Sequence, residues 1–525
     1  MPELPLRDKL AQLMFVRIGS NLPPVRTVEE DEARIAALLP ECPIGGLVLF
    51  NGRHGPTADT LARLQQQSRY PLLVGSDIER GYGQQLRPYP LFPHAMAFDA
   101  LGADAVDAVR KFAAITAVAA RRAGVHITFA PIADVNTDPR NPIIATRAFS
   151  TDPARAAELA AAFVEGCRDG ELLATAKHFP GHGDTHQDSH HELPNVPQSG
   201  DEIRRRELEP FRAAIAAGVP LIMTAHVCYP GLDDSGACAT LSRPILTDLL
   251  RGELGYQGAV VSDSLLMAGV REQAATEGEL CVRAVNAGVD ILLDVESPVA
   301  AVEAMAAAVA SGTLPISRVD EALARVVALK QTVWVHGSGD ADKSTPLESL
   351  SADQLESETR TFAQQVAAAA IQVVRGDAAP LDPARPTLTV LVNPYRSHLD
   401  PETPELFAAV RELCRDVECV ELRGDEPAPR WEALSQCAAA VDQVLVAIVV
   451  KPAAWHQFGL PVPAADWLTT ACQRFPLVLA CLGAPIALES FPAARSALCT
   501  FSDVPASQRA LAERLFAAGA AAQIP

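Results

Sequence analysis

The chain has 525 residues, 49% of them hydrophobic, with 44 basic against 64 acidic side chains and a net charge of −20. This length exceeds what one ordinary core accommodates, so two large domains are expected, each with apolar content enough for a sizeable interior. The acidic balance argues against nucleic acid or an anionic membrane as a partner, and no apolar run nears the roughly 20 residues that span a bilayer.

The opening stretch, MPELPLRDKLAQLMFVRIGS, lacks the basic start and apolar core of a signal peptide. The 11 cysteines are scattered, with no CxxC pair. Buried free thiols in a reducing cytoplasm are expected, not a disulfide framework.

Short apolar runs predict strands over Leu13–Ile18, Ile44–Phe50, Leu72–Ile78, Ile127–Ala133, Leu172–Ala176, Pro220–Ala225, Ala259–Ser262 and Asp290–Val295. Helical patterns lie between them, among them Asp104–Arg122, Pro153–Arg168, Asp201–Ala217 and Val299–Ala310. Alternation of this kind builds a parallel sheet, and about eight strands is the count of a (β/α)8 TIM barrel rather than an open doubly wound sheet. From Gly337 to Ser351 the chain turns rich in Gly, Ser, Asp and Pro, and Asp353–Ala370 follows as a helix. A second α/β pattern then places strands at Leu388–Val392, Val417–Leu422, Val444–Val450, Leu477–Leu482 and Leu498–Phe501. The expected architecture is therefore α/β: a catalytic barrel over 1–335, a linker and connecting helix over 336–380, and a smaller C-terminal α/β sandwich over 381–525. No GxGxxG or phosphate loop marks the second domain as a nucleotide site.

A barrel places its reactive groups at the C-terminal ends of its strands. Asp77, Asp134, Lys177 with His178, His226 and Asp263 each follow a predicted strand in this way. The fifth strand runs into Lys177–Pro194, KHFPGHGDTHQDSHHELP, where Pro180, Gly181 and Gly183 enforce a loop crowded with ionisable groups. Asp263 at a barrel mouth can serve as nucleophile, metal ligand or ion-pair partner. In Asp188-Ser189-His190 a carboxylate two residues from an imidazole can orient it and raise its basicity, giving an acid/base pair, or it can simply brace the loop. Zinc held by His178, His182, His186, His190, His191 and Asp188 is the competing chemistry. The breakers, however, prevent the continuous helix that the four-residue spacing would need. No GxSxG elbow supports a serine nucleophile. Asp77, Arg87, Arg147, Lys177 and His178 are the residue types that hold sugar hydroxyls and carbonyls.

The long motif Lys177-His178-Phe179-Pro180-Gly181-His182-Gly183, followed by Asp188-Ser189-His190 and Pro194, resembles the β-N-acetylhexosaminidases of glycoside hydrolase family 3. The resemblance extends in order through Phe129-Ala130-Pro131, Asp134-Val135-Asn136, Asn141-Pro142-Ile143-Ile144 with Arg147, Met223-Thr224-Ala225-His226, Ser262-Asp263 and Ala287-Gly288-Val289-Asp290. It implies that Asp263 is the nucleophile and that His190, paired with Asp188, is the acid/base. It further implies that Asp77, Arg147, Lys177 and His178 hold the non-reducing sugar, with His226 beside them, and that the reaction needs no metal or other cofactor. The chain departs from the family at Tyr82 and Gln85, which stand where arginines are usual. Arg87, two residues further on, is the candidate replacement.

The resulting expectation is a cytoplasmic, retaining exo-β-N-acetylglucosaminidase acting on oligosaccharides from muropeptide or chitin. A family 3 β-glucosidase or β-xylosidase, a phosphorylase using the same mechanism, and a non-catalytic sugar-binding barrel are the alternatives. The residues leave the oligomeric state open.

Overall fold

The computed structural model describes residues 4–185, 193–336, 346–377, 380–397, 400–452 and 457–517. The chain divides into two compact units, the first comprising 1–90, 109–137 and 150–356 and the second 91–108, 138–149 and 357–525.

All eight strands expected in the first unit form. They are β1 Met14–Ile18, β2 Gly46–Leu49, β3 Leu73–Ser76, β4 Ile127–Thr128, β5 Leu173–Phe179, β6 Leu221–Thr224, β7 Ala259–Val261 and β8 Leu292–Leu293. From β1 to β7 each pairs in parallel with the next in sequence, and β8 pairs in parallel with β1. A single parallel bridge, Val261–Ile291 just before β8, nearly closes the ring between β7 and β8. Strands buried on both faces read as unbroken apolar runs, which is why they stand out in the sequence. Side chains fill the space inside such a ring. At Gly46 and Gly75 a Cβ would meet the rings of Phe15 and Phe129 at 2.7 and 2.5 Å, so absence of a side chain there makes room for the two phenylalanines.

The helices follow local signals. Asp152 caps Pro153–Asp169 by accepting from the amides of Ala154 and Arg155. The helix expected over Asp201–Ala217 is two helices instead, Gly200–Arg205 and Leu208–Ala216. Pro210 explains the break: it has no N–H for the carbonyl of Arg206, and its ring crowds that oxygen. No helix among the described residues is long and apolar enough to cross a membrane.

The second unit is built on a six-stranded sheet. Its strands are β9 Gln372–Arg375, β10 Thr387–Val392, β11 Val417–Leu422, β12 Gln443–Ile448, β13 Leu477–Cys481 and β14 Ser496–Cys499, in spatial order β9-β14-β13-β12-β10-β11. All neighbours are parallel except the β9–β14 edge pair. Alternate side chains feed two cores: Val390, Val446 and Leu479 join Trp431 and Trp467 in one, while Leu391, Leu445 and Val478 join Phe407 and Leu511 in the other. That two-faced burial is the α/β sandwich expected from the alternating pattern.

Candidate active site

Strand β5 carries the centre of the site. All seven of its residues are buried, and its register against β6 shifts between Ala176 and Phe179. Irregularities of this kind re-aim side chains next to active sites. The Lys177–His178 and Phe179–Pro180 peptides are cis.

Lys177 reaches two carboxylates. Its Nζ lies 2.7 Å from Asp77 Oδ1 and 2.8 Å from Glu79 Oε1. The lysine side chain is only 3% exposed while Asp77 retains 30%, so Asp77 is the member of the trio that a ligand can reach. Next in sequence, His178 gives its Nδ1 to Asp134 Oδ2 at 2.7 Å. Asp134 is fully buried, and its Oδ1 also accepts from the amides of His178, at 3.1 Å, and His182, at 2.7 Å. Burial pushes the Asp134 carboxyl up, but the adjacent His178 and these hydrogen bonds outweigh it and hold the carboxyl below its ordinary value. With a carboxylate at Nδ1, His178 is fixed as a donor there and directs Nε2 away from Asp134. His182 is closed off differently: its Nδ1 meets Thr185 Oγ1 at 2.9 Å, and burial together with His178 lowers it to about 4.

Asp263 follows β7. Its Oδ1 accepts from the amide of Ser264 at 2.7 Å. Burial works against ionisation, yet the neighbouring His226, His178 and Lys177 and the Ser264 amide together hold the carboxyl at about 2. His226 donates Nε2 to the carbonyl of Ser264 at 3.0 Å, because that oxygen can only accept, and its Nδ1 meets Thr240 Oγ1 at 2.8 Å. Behind Ser264, Asp294 accepts from Ser264 Oγ at 2.7 Å and from Arg17 Nε at 2.9 Å, with Arg17 Nη2 completing a two-pronged contact. This brace runs from β1 to the end of β8 and fixes the chain immediately after Asp263.

The structure thus brings together five expected residues, Asp77, Lys177, His178, His226 and Asp263. Arg87 sits half-buried on a short strand, Leu86–Arg87, paired with Gly52–Arg53. Arg147 is carried by the second unit, where its Nη1 donates to the carbonyl of Ile143 at 2.9 Å. Asp188 and His190, like His186 and His191, lie outside the described residues. Gln85 holds the loop instead of reaching for a ligand: its Nε2 donates to the Asp77 carbonyl at 3.3 Å and its Oε1 accepts from Asn21 at 3.0 Å. Tyr82 is buried, with its hydroxyl 3.0 Å from His54 Nδ1.

Glu79, Arg17 and Asp294 were not expected. Glu79 stands two residues past a flagged strand end, and that proximity was the available signal. Arg17 and Asp294 had none, being 277 residues apart. Among the described residues no group of three His, Cys, Asp or Glu side chains is set to hold a metal ion.

Comparison with known proteins places this arrangement. A beta-hexosaminidase A of Pseudoalteromonas piscicida is 33% identical over 374 residues, covering 65% of this chain and 61% of that protein. A beta-N-acetylglucosaminidase/beta-glucosidase of Cellulomonas fimi is 31% identical over 341 residues, covering 63% of this chain and 59% of its own. The chain therefore spans about three fifths of the length of these two relatives. Among solved structures, a glycoside hydrolase family 3 beta-N-acetylglucosaminidase from Paenibacillus sp. str. FPU-7 matches with a TM-score of 0.86 at 30% identity, over 98% of this chain and 97% of that one. Residues 5–329, the whole barrel with its ring of strand-end carboxylates and imidazoles, match the glycosyl hydrolase family 3 N-terminal domain, and the chain belongs to that family.

Proposed function

We propose that the chain is a retaining, exo-acting β-N-acetylglucosaminidase that removes a terminal β-linked N-acetylglucosamine from oligosaccharides of muropeptide or chitin origin. An ionised carboxylate oxygen of Asp263 attacks the anomeric carbon. The bond to the leaving oxygen breaks as His190, protonated beside Asp188, delivers its proton to that oxygen. His190 then takes a proton from water, the water oxygen bonds to the anomeric carbon, and Asp263 departs as the carboxylate. Asp77, held by Lys177, and His178, oriented by Asp134, receive the sugar hydroxyls.

The observation that carries this reading is the placement of Asp263 at the end of a barrel strand beside Lys177, His178 and His226, which favour its ionised form against burial. The choice of sugar follows the names of similar proteins, a beta-N-acetylglucosaminidase and a beta-hexosaminidase. The double name of the Cellulomonas fimi relative favours a second reading, in which β-glucosides are also cleaved.

Turnover of p-nitrophenyl β-N-acetylglucosaminide by the wild type, Asp263→Ala and His190→Ala, with and without a chelator, tests the proposal. Asp263→Ala is expected to lose roughly 10³-fold or more, with no effect of chelator on the wild type. Survival of activity in Asp263→Ala removes the nucleophile assignment. Cleavage of the p-nitrophenyl glucoside alone removes the sugar assignment, and release of a sugar phosphate in high phosphate turns hydrolysis into phosphorolysis.

A further inference from the structure

Residues 186–192, which include Asp188 and His190, lie outside the described residues, and the described chain on either side of them forms two stems, 181–185 and 193–198. Both stems are tied down. In the outgoing stem, the His182 amide is held by Asp134, and the Gly181 carbonyl accepts from Tyr229 Oη at 2.6 Å. In the returning stem, Val196 donates to the carbonyl of Cys228 and Cys228 to that of Pro194, both at 2.9 Å.

One carboxylate joins the two stems. Asp184, on the outgoing side, accepts from Gln198 Nε2 on the returning side and from Arg206 Nη2 at 2.6 Å. Arg206 in turn places Nε 2.6 Å from Glu207 Oε1. Glu207 is 1% exposed and lies directly behind the outgoing stem: a Cβ at Gly181 would stand 2.8 Å from Glu207 Cβ and 3.0 Å from its Oε2. The break between the helices Gly200–Arg205 and Leu208–Ala216 places Arg206 and Glu207 at this junction.

The arrangement is costly. Glu207 Oε2 has no hydrogen-bond partner among the described residues. Burial pushes the Glu207 carboxyl up to about 7, with Arg206 opposing and Asp134 and Asp184 adding to the rise. An apolar side chain would fill the same space without that penalty, so packing alone does not account for the carboxyl.

We propose that Asp184, Arg206 and Glu207 are positioning residues which fix both ends of the segment carrying the acid/base histidine, and so set where His190 delivers its proton. This rests on the reading of His190 as the general acid. It has a specific kinetic consequence: acid assistance matters most when the leaving group is a poor one, and hardly at all for a strongly acidic phenol.

The test is kcat/KM, which reports the glycosylation step, on 2,4-dinitrophenyl and methyl β-N-acetylglucosaminides for the wild type, His190→Ala, Arg206→Gln, Arg206→Lys and the isosteric Asp184→Asn. Arg206→Gln and Asp184→Asn are expected to lose about 10- to 100-fold on the methyl glycoside, within the roughly 10²–10⁴-fold that general acid catalysis supplies. On the dinitrophenyl substrate they should lose less than about threefold, and Arg206→Lys should fall between Arg206→Gln and the wild type. The ratio of the two substrates is unaffected by partial unfolding, which lowers both alike. Equal losses on both substrates, or no loss on either, overturn the proposal when His190→Ala itself shows the leaving-group dependence. If His190→Ala shows none, the acid assignment falls first and the positioning role falls with it.

Discussion

Replacing Asp134 by Asn isolates the group that organises the strand β5 loop. The carboxylate is fully buried and accepts from His178 Nδ1, the His178 amide and the His182 amide. An Asn can keep Oδ1 toward the two backbone amides, but its NH₂ then faces His178 Nδ1, two donors in contact. His178 escapes by moving its proton to Nε2, which reverses the polarity of the ring edge turned away from Asp134. Losing one charge-assisted bond and weakening two others costs about 3 kcal/mol of stability. Replacing the acceptor offered to a substrate hydroxyl by a donor costs about 10²-fold in kcat/KM, close to 2.7 kcal/mol. Thermal unfolding and kcat/KM on an aryl N-acetylglucosaminide measure the two effects separately. A double-mutant cycle with His178→Ala decides whether they share a cause: if Asp134 acts through His178, adding Asp134→Asn to His178→Ala costs little further activity. A loss of the same factor in both backgrounds, or an Asp134→Asn enzyme within twofold of the wild type, would refute the argument.

Two further substitutions probe the charges in the barrel. Lys177→Met leaves Asp77 and Glu79 facing each other without their shared ammonium; loss of about 3–5 kcal/mol and of measurable turnover is expected, and unchanged unfolding with an unchanged KM would count against the trio. Lys330 is buried with Nζ 2.6 Å from Gln12 Oε1, and burial drags its ammonium from 10.5 down to about 7. The unfolded chain therefore binds the proton more tightly, so stability should rise between pH 7 and 10.5 by at most about 5 kcal/mol, at 1.36 kcal/mol for each of the 3.5 pH units. Chemical denaturation at pH 7 and 9.5 should show that rise in the wild type and its loss in Lys330→Met; parallel curves would show that Lys330 titrates normally.

Much of the first unit was legible because parallel strands buried on both faces write their positions as apolar runs. The regular ladders are nevertheless shorter than the runs: the fourth spans only Ile127–Thr128, with Pro131 close behind and no N–H to offer. Strand β9 escaped notice for the opposite reason. It is largely exposed, with Val373 at 43% and Val374 at 45%, and its antiparallel partner comes more than a hundred residues later. The break at Arg206 did have a signal, Pro210, which the strong apolar periodicity on both sides masked. That 91–108 and 138–149 group with the C-terminal sheet has no local signature at all. Such grouping is set by contacts across the chain, Phe92 against Phe362 among them.

The site residues divide along a similar line. Strand-end position marked Asp77, Asp134, Lys177, His178, His226 and Asp263, but it does not say which carboxylate reacts. The hydrogen bonds sort them. Asp77 and Glu79 share the Lys177 ammonium, Asp134 is taken by His178 and two amides, and Asp294 is gripped by Arg17. Asp263 alone in this set has no ion pair among the described residues, and one amide at Oδ1 is its hydrogen bond. A nucleophile must be ionised and yet have a lone pair to give. A salt bridge secures the first condition at the expense of the second, because the cation occupies the attacking oxygen. Here the charge on Asp263 is favoured by the neighbouring His226, His178 and Lys177, none of which donates a hydrogen bond to its carboxylate. That separation of ionisation from contact is what supports the proposal of Asp263, rather than its better-bonded neighbours, as the nucleophile.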